Sequence, residues 1–182
     1  MAGEYGGRKL AAPRGDAVRP TSDRVKEALF SMLSERVDGA RAIDVFAGTG
    51  SLGIEALSRG AQECLFFESS AEAAAVIREN LDALRISGRA RLVRADYRVA
   101  MARSGGYGAD IAFIDPPYAS GLYEEAMQSL VAYDMIVIGG IAALESSDGG
   151  GEDAKYPGFE LIKKKRYGKT FIRLYERTGR TE

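Results

Sequence analysis

The chain of 182 residues contains no histidine and a single cysteine. Without histidine, Ser-His and Cys-His nucleophilic schemes, His-ligated zinc and the commonest general base are excluded. Any chemistry must run on carboxylates, tyrosines, backbone groups or a bound cofactor. A lone cysteine, Cys64, cannot form an internal disulfide, which fits a reducing compartment, and its apolar setting makes it a core residue. Long hydrophobic runs are also missing: residues 135–144 are interrupted by Gly139 and Gly140 and are too short to span a bilayer. The first residues are polar and Gly-rich, unlike a signal peptide. The expectation is a cytoplasmic protein, monomeric, with no metal site and no membrane partner.

Apolar residues make up 46% and charged residues 28% of the chain, the balance of one globular domain with a full core. The net charge of −1 conceals an uneven distribution. Residues 1–26 hold six Lys/Arg against three Asp/Glu, and residues 155–182 hold nine against three. The segment between them carries a charge of −10. Basic ends on an acidic body suggest a face for a polyanion, built from the two termini.

Residues 1–18, rich in Gly and Arg, read as an extended basic arm, and residues 19–182 as a single domain. Pro20-Thr21-Ser22-Asp23 supplies N-cap candidates for a helix. Val25, Ala28, Leu29, Met32 and Leu33 carry it at helical spacing to about Arg36. From residue 41 strands alternate with helices. Strands are predicted at 42–46, 63–68, 90–94, 111–115 and 141–145. Helices are predicted at about 51–59, 70–84 and 122–132, with a short helical piece before the Gly105-Gly106 loop. Ser69 with Glu72 forms a capping-box pattern for the second of these helices. Residues 146–154 are polar and Gly-rich and read as a mobile loop. Two further strands, 159–166 and 170–176, form a hairpin turning at Tyr167-Gly168-Lys169. The fold class is therefore α/β: a seven-stranded, mostly parallel, doubly wound sheet with an antiparallel C-terminal hairpin.

Between the first strand and its helix runs Asp44-Val45-Phe46-Ala47-Gly48-Thr49-Gly50-Ser51-Leu52-Gly53, a G-x-G-x-x-G in the context that gives this pattern meaning. Glycines there let the backbone turn tightly and approach a ligand. Glu68 ends the second strand, where an acid can hold ribose hydroxyls. A dinucleotide and S-adenosylmethionine (SAM) both fit this much. Two acids favour SAM. Asp44 suits a ligand with an ammonium and a sulfonium and would repel a pyrophosphate. Asp96, before Tyr97, could accept from an adenine amino group or simply cap a helix.

The fourth strand ends in Asp115-Pro116-Pro117-Tyr118. Two prolines fix φ and offer no backbone donors, so the corner is stiff and rich in acceptors. Such a corner beside an aromatic ring suits a flat substrate bearing an NH2 group. In a doubly wound sheet the fourth strand neighbours the first, so this corner should face the Gly loop across the switch-point crevice.

These motifs together resemble the RsmD family of class I, Rossmann-like SAM-dependent methyltransferases, over nearly the whole chain. The resemblance is carried by residues 19–30, which match the family's opening helix, and by residues 44–61, which match its SAM loop and following helix. Asp115-Pro116-Pro117-Tyr118 matches its catalytic motif, and residues 167–170 its final hairpin. That family methylates the N2 amine of a guanine in 16S ribosomal RNA, so the resemblance implies SAM as cofactor and 16S rRNA or the small ribosomal subunit as partner. The Asp-Pro-Pro-Tyr type is shared with DNA adenine and protein glutamine N-methyltransferases, which keeps those amines as the alternative. By the same resemblance Gly48, Gly50 and nearby backbone groups hold the methionine part of SAM, Glu68 the ribose, and Asp96 with the Tyr97 backbone the adenine. The implied cofactor set is Asp44, Phe46, Ala47, Gly48, Thr49, Gly50, Gly53, Glu68, Ser69, Asp96 and Tyr97. Asp115, Pro116, Pro117 and Tyr118 are the implied catalytic residues, and Arg8, Lys9, Arg14, Arg19 and Arg24 the implied RNA contacts. The family usually opens with an extra Arg/Ile strand before the residues matching Ala2-Gly3-Glu4-Tyr5, so a short arm is expected here, and Gly6 stands where arginine is common.

Overall fold

The apolar residues change period along the chain, and the elements follow. The computed structural model describes residues 1–11, 23–116, 122–146 and 154–179. It contains α1 (Asp23–Leu33), β1 (Arg41–Asp44), α2 (Ser51–Ser58), β2 (Glu63–Glu68), α3 (Ala71–Leu84) and β3 (Ala90–Arg94). These are followed by α4 (Tyr97–Arg103), β4 (Ala109–Ile114), α5 (Leu122–Ala132), β5 (Ile136–Ser146), β6 (Phe159–Tyr167) and β7 (Thr170–Arg177). In α3 the buried Ala73, Val76, Ile77, Leu81 and Leu84 recur every three or four residues, so only one stripe faces inward. In β2, Cys64, Leu65, Phe66 and Phe67 are all buried, as expected of a strand covered on both faces.

The seven strands pair in the order β3-β2-β1-β4-β5-β7-β6, and β1 through β5 run parallel. β7 is antiparallel to both β5 and β6. One core lies between the sheet and α1, α2 and α3, around Phe30, Ile54, Phe66, Ile77 and Phe113. The other lies under α4 and α5, around Ile43, Leu65, Phe67, Met101 and Met127. The Phe30 and Phe113 rings meet at 5.6 Å, pinning α1 to the middle of the sheet. Among the described residues no helix is long and apolar enough to cross a membrane.

Several boundaries differ from the sequence expectation. β1 stops at Asp44, two residues early, although Val45 and Ala47 still donate to Phe113 O and Phe67 O as the loop leaves the sheet. β5 begins at residue 136, five residues before the predicted start. The Gly139-Gly140 pair reads as a breaker but makes a bulge: the register with β4 jumps from Ala109↔Ile136 to Ile111↔Ile141. A Cβ on Gly140 would lie 2.7 Å from the Ile136 side chain, and Gly139 has φ +83°. The α-helical part of α1 ends at Leu33, because Ser34 takes φ 51°, and a 3₁₀ turn completes the segment to Val37. The N-cap of α3 is Ser70, accepting from Ala73 N, rather than Ser69. The predicted cap at residues 20–22 and most of the predicted 146–154 loop lie outside the described residues.

The start of the chain is docked rather than extended. Ala2 N donates to Glu55 Oε1, Tyr5 N to Ser58 Oγ, and Ala11 N to Asn80 Oδ1. Residues 2–5 thus lie along the second half of α2, and Ala11 reaches Asn80 of α3, which also holds Thr49 at the rim where the parallel strands end. The β6–β7 turn lies at that same rim, since Ser146 at the end of β5 pairs with Phe171 at the start of β7.

Candidate active site

Asp44 is level with Phe66 on one side and Phe113 on the other. Two residues beyond those partners come Glu68 and Asp115, so three carboxylates flank the loop that leaves β1. The loop is held from outside. Gly48 N donates to Glu68 Oε2 at 2.8 Å, and the other Glu68 oxygen accepts from Ser70 N at 2.7 Å. Gly53 N donates to Asp44 Oδ2 at 3.0 Å, so Asp44 caps α2 across nine residues, near the positive end of that helix.

The glycines have separate jobs. Gly48 has φ +53° and open space where a side chain would project. Gly50 has φ +78° and stands at the N-cap of α2. A Cβ on Gly53 would come within 2.3 Å of the Phe66 ring, so its requirement is close packing of α2 on β2. The same Gly53 supplies the N–H that fixes Asp44.

Asp44 is buried, and burial pushes its carboxyl up to about 7. The Gly53 N–H lowers it, while the charges of Asp115 and Glu68 raise it further. A cleft that disfavours a third negative charge favours a cationic ligand. Asp115 is half-buried and Pro116 buried, while Pro117 and Tyr118 lie outside the described residues. Asp115 thus follows β4, the neighbour of β1, close enough to Asp44 for its charge to be felt there.

A wall of aromatic rings closes the other side. Phe46 and Tyr97 pack at 4.9 Å, and the Arg98 guanidinium lies 4.6 Å from the Tyr97 ring centre. Burial raises the Tyr97 hydroxyl to about 12. Asp96 caps α4 by accepting from Arg98 N at 3.0 Å and also pairs with the Arg98 side chain. Arg98 in turn pairs with Glu125 on α5. Ser69 is exposed beside Glu68, and Ala47 donates its N–H to Phe67 O.

Two partners of the loop carry no sequence pattern of their own. Asn80, buried on α3, donates to Thr49 O and to Ala11 O and accepts from Ala11 N. It ties the first residues of the chain to the loop. Lys26, buried on α1, donates to Ser51 Oγ at 3.2 Å and faces Glu55 Oε2 at 3.8 Å. Glu55 Oε1 accepts from Arg59 Nε and Ala2 N. The match of residues 19–30 to an opening helix thus includes a lysine that braces the start of α2. Of the basic residues singled out in the sequence, Arg8, Lys9 and Arg24 are exposed, while Arg14 and Arg19 lie outside the described residues. Cys64 is buried, with its thiol pushed well up by burial. Among the described residues no His/Cys/Asp/Glu group is arranged to hold a metal ion.

Residues 1–176 match the model of the family described as Conserved hypothetical protein 95. The chain is 34% identical over 182 residues to ribosomal RNA small subunit methyltransferase D of Escherichia coli (strain K12), covering 100% of this chain and 91% of that one. It is 32% identical over 181 residues to the protein of the same name from Haemophilus influenzae, covering 97% and 92%. The solved structure of the Escherichia coli protein yhhF superposes with a TM-score of 0.88 at 34% identity, over 99% of this chain and 97% of that one.

Proposed function

The chain belongs to the Conserved hypothetical protein 95 (RsmD) family of methyltransferases, and from that premise we propose that it methylates the exocyclic N2 amine of a guanine in 16S ribosomal RNA. It is a SAM-dependent enzyme. The observation that carries the finer reading is the half-buried Asp115, with Pro116 behind it, close enough to Asp44 for the two charges to repel.

The residues present fit SAM. Asp44, ionised once a cation sits beside it, faces the amino-acid ammonium and the sulfonium. The open space at Gly48 lets the backbone approach the methionine part. Glu68 keeps lone pairs for the ribose hydroxyls after accepting from Gly48 N and Ser70 N. Asp96 would accept from the adenine amino group with the Tyr97 backbone beside it, and Phe46, packed on the Tyr97 ring, would border the base. When bound, SAM supplies an activated methyl group on a positively charged sulfur.

The guanine amine is a poor nucleophile because its lone pair is delocalised into the ring. The Asp115 carboxylate and the Pro116 carbonyl accept from its two N–H groups, which draws the nitrogen toward tetrahedral geometry and localises the lone pair. Tyr118 stacks on the base and holds its plane. Catalysis is then positioning and charge matching: the N–C bond would form as the methyl–sulfur bond breaks with its electron pair left on a now neutral sulfur, and Asp115 takes the proton from the alkylated nitrogen. A base paired in a helix must first swing out, so unpaired nucleotides are the favoured targets. Arg8, Lys9 and Arg24 meet phosphates on the α1 side, and Arg14 and Arg19 are assigned the same role by the resemblance.

The test is methyl transfer from labelled SAM to small-subunit particles lacking the modification, with the product mapped by nuclease digestion. N2-methylguanosine at one site is expected. Label on an adenine or on a protein glutamine would overturn the guanine reading while leaving the enzyme class intact.

A further inference from the structure

We infer that the tip of the β6–β7 hairpin is a second RNA-binding platform, which grips the single strand flanking the target nucleotide on the α5 side of the sheet. The inference rests on the proposed RNA substrate.

Register places the tip. Ile114 at the end of β4 is level with Leu144, Leu144 with Arg173, and Arg173 with Lys164. Lys164 is therefore three strands from Ile114, or ~14 Å at the usual spacing of about 4.8 Å, and the hairpin tip projects four residues beyond that level on the rim that carries Asp115. Its face is fixed as well. Ile172 and Leu174 point into the core beneath α1, so Phe171 and Arg173 point to the opposite side, where α5 lies.

The tip interleaves cations with rings. The cationic groups of Lys164, Arg166 and Arg173 lie 5.2–5.5 Å from the Phe171 ring centre. Arg166 Nε donates to Gly168 O, which holds its guanidinium at the turn. On the other face Lys165 lies 5.5 Å from the Tyr167 ring centre, and Lys169 is exposed at the tip. Arg173 is buried and donates to Ser146 Oγ, so the exposed charges beside the Phe171 ring are Lys164 and Arg166, and exposed cations set against an aromatic face are what a phosphate backbone and unstacked bases require. A lysine-rich edge strand also blocks strand-to-strand association, but that duty needs no rings and no placement at the catalytic rim. The exposed Arg24 lies on the α1 side and Phe171 on the α5 side, so an RNA strand crossing the rim would pass over Asp115 between them.

The experiment compares wild type with Arg166→Glu/Lys169→Glu, with Phe171→Leu, and with Arg103→Glu at the opposite rim as control. Binding to a single-stranded 16S rRNA fragment is followed by fluorescence anisotropy across a salt series. Calorimetry with S-adenosylhomocysteine verifies that each variant is folded with its cofactor cleft intact. The double variant should weaken RNA binding roughly tenfold and flatten the salt slope by about 1.4, at about 0.7 per lost phosphate contact. Phe171→Leu should weaken binding with the slope unchanged, and Arg103→Glu should change neither. Unaltered binding and slope in the double variant would overturn the platform. So would a loss confined to assembled particles with naked RNA unaffected, because that pattern marks a protein contact. Wild-type protein that binds RNA through the tip yet transfers no methyl group to small-subunit particles lacking the modification would sustain the platform and remove the proposed reaction.

Discussion

The two rims of the sheet hold their carboxylates by different means. Where the parallel strands end, Asp44 accepts from Gly53 N, and Glu68 accepts from Gly48 N and Ser70 N. Where they begin, Glu63 pairs with Arg41, Asp134 with Arg177, and Glu176 with Arg36. A backbone amide orients a carboxylate without cancelling its charge, whereas a guanidinium does both. The first rim therefore keeps negative potential in a partly desolvated cleft, and the second spends its acids on exposed ion pairs. Asp96 has both kinds of partner and sits between the two cases. A cationic cofactor needs the first arrangement.

The largest effect should come from the acceptor corner. Asp115→Ala is expected to lower kcat about 100- to 1,000-fold, the scale for removing one preorganised polar group at a reacting centre. Affinity for S-adenosylhomocysteine should stay within a few fold, measured by calorimetry. Retained methyl transfer would mean that the corner is only a turn and that the rims do not differ in function.

Asp44→Asn comes next. At pH 8 it should weaken S-adenosylhomocysteine binding about 10- to 100-fold, equivalent to a charge-assisted hydrogen bond of about 1.5–3 kcal/mol. Wild-type affinity should fall as pH drops below about 7, because the protonated carboxyl must lose its proton before it can face the ammonium. The variant should show no such step. Stability gives a second reading. A carboxyl raised on folding stabilises the protein fully below its unfolded value near 4, and that contribution is lost as pH rises to about 7. Urea titrations of wild type across that window should slope downward more steeply than those of Asp44→Asn.

Asn80→Ala sharpens the comparison without touching a charge. Removing its bonds to Thr49 and Ala11 leaves buried polar groups unpaired and should cost about 1–3 kcal/mol in urea unfolding. The smallest change belongs to the opposite rim. The Arg41–Glu63 pair is about 40% exposed at each partner, so Glu63→Ala should cost less than about 1 kcal/mol and leave methyl transfer unchanged. A loss of activity there matching that of Asp115→Ala would erase the distinction.

Much of the cleft is legible in the linear order because its chemistry is local. Asp44 and the Gly48–Gly53 turn lie within ten residues, Asp115 ends an apolar run, and Glu68 ends another. What was misread also has local causes. Gly139-Gly140 looked like a break since glycine marks turns and bulges alike, and only the neighbouring strand shows which is formed. Ser69 and Ser70 are equivalent on paper until the backbone chooses which hydroxyl meets Ala73 N. The first residues looked extended because their partners, Glu55, Ser58 and Asn80, are about 50 to 70 positions away.

By itself the sequence determined the alternation of strand and helix, the Gly loop and the acid-proline corner, since each follows from periodicity or from the φ limits of glycine and proline. The tertiary structure decided which carboxylates share a cleft, that Asp44 is raised toward neutrality by burial and by its acidic neighbours, and that the basic hairpin tip stands on the rim that carries Asp115. Electrostatics and desolvation depend on distance through space, and only the folded sheet brings residues 44, 68, 115 and 166 to one edge.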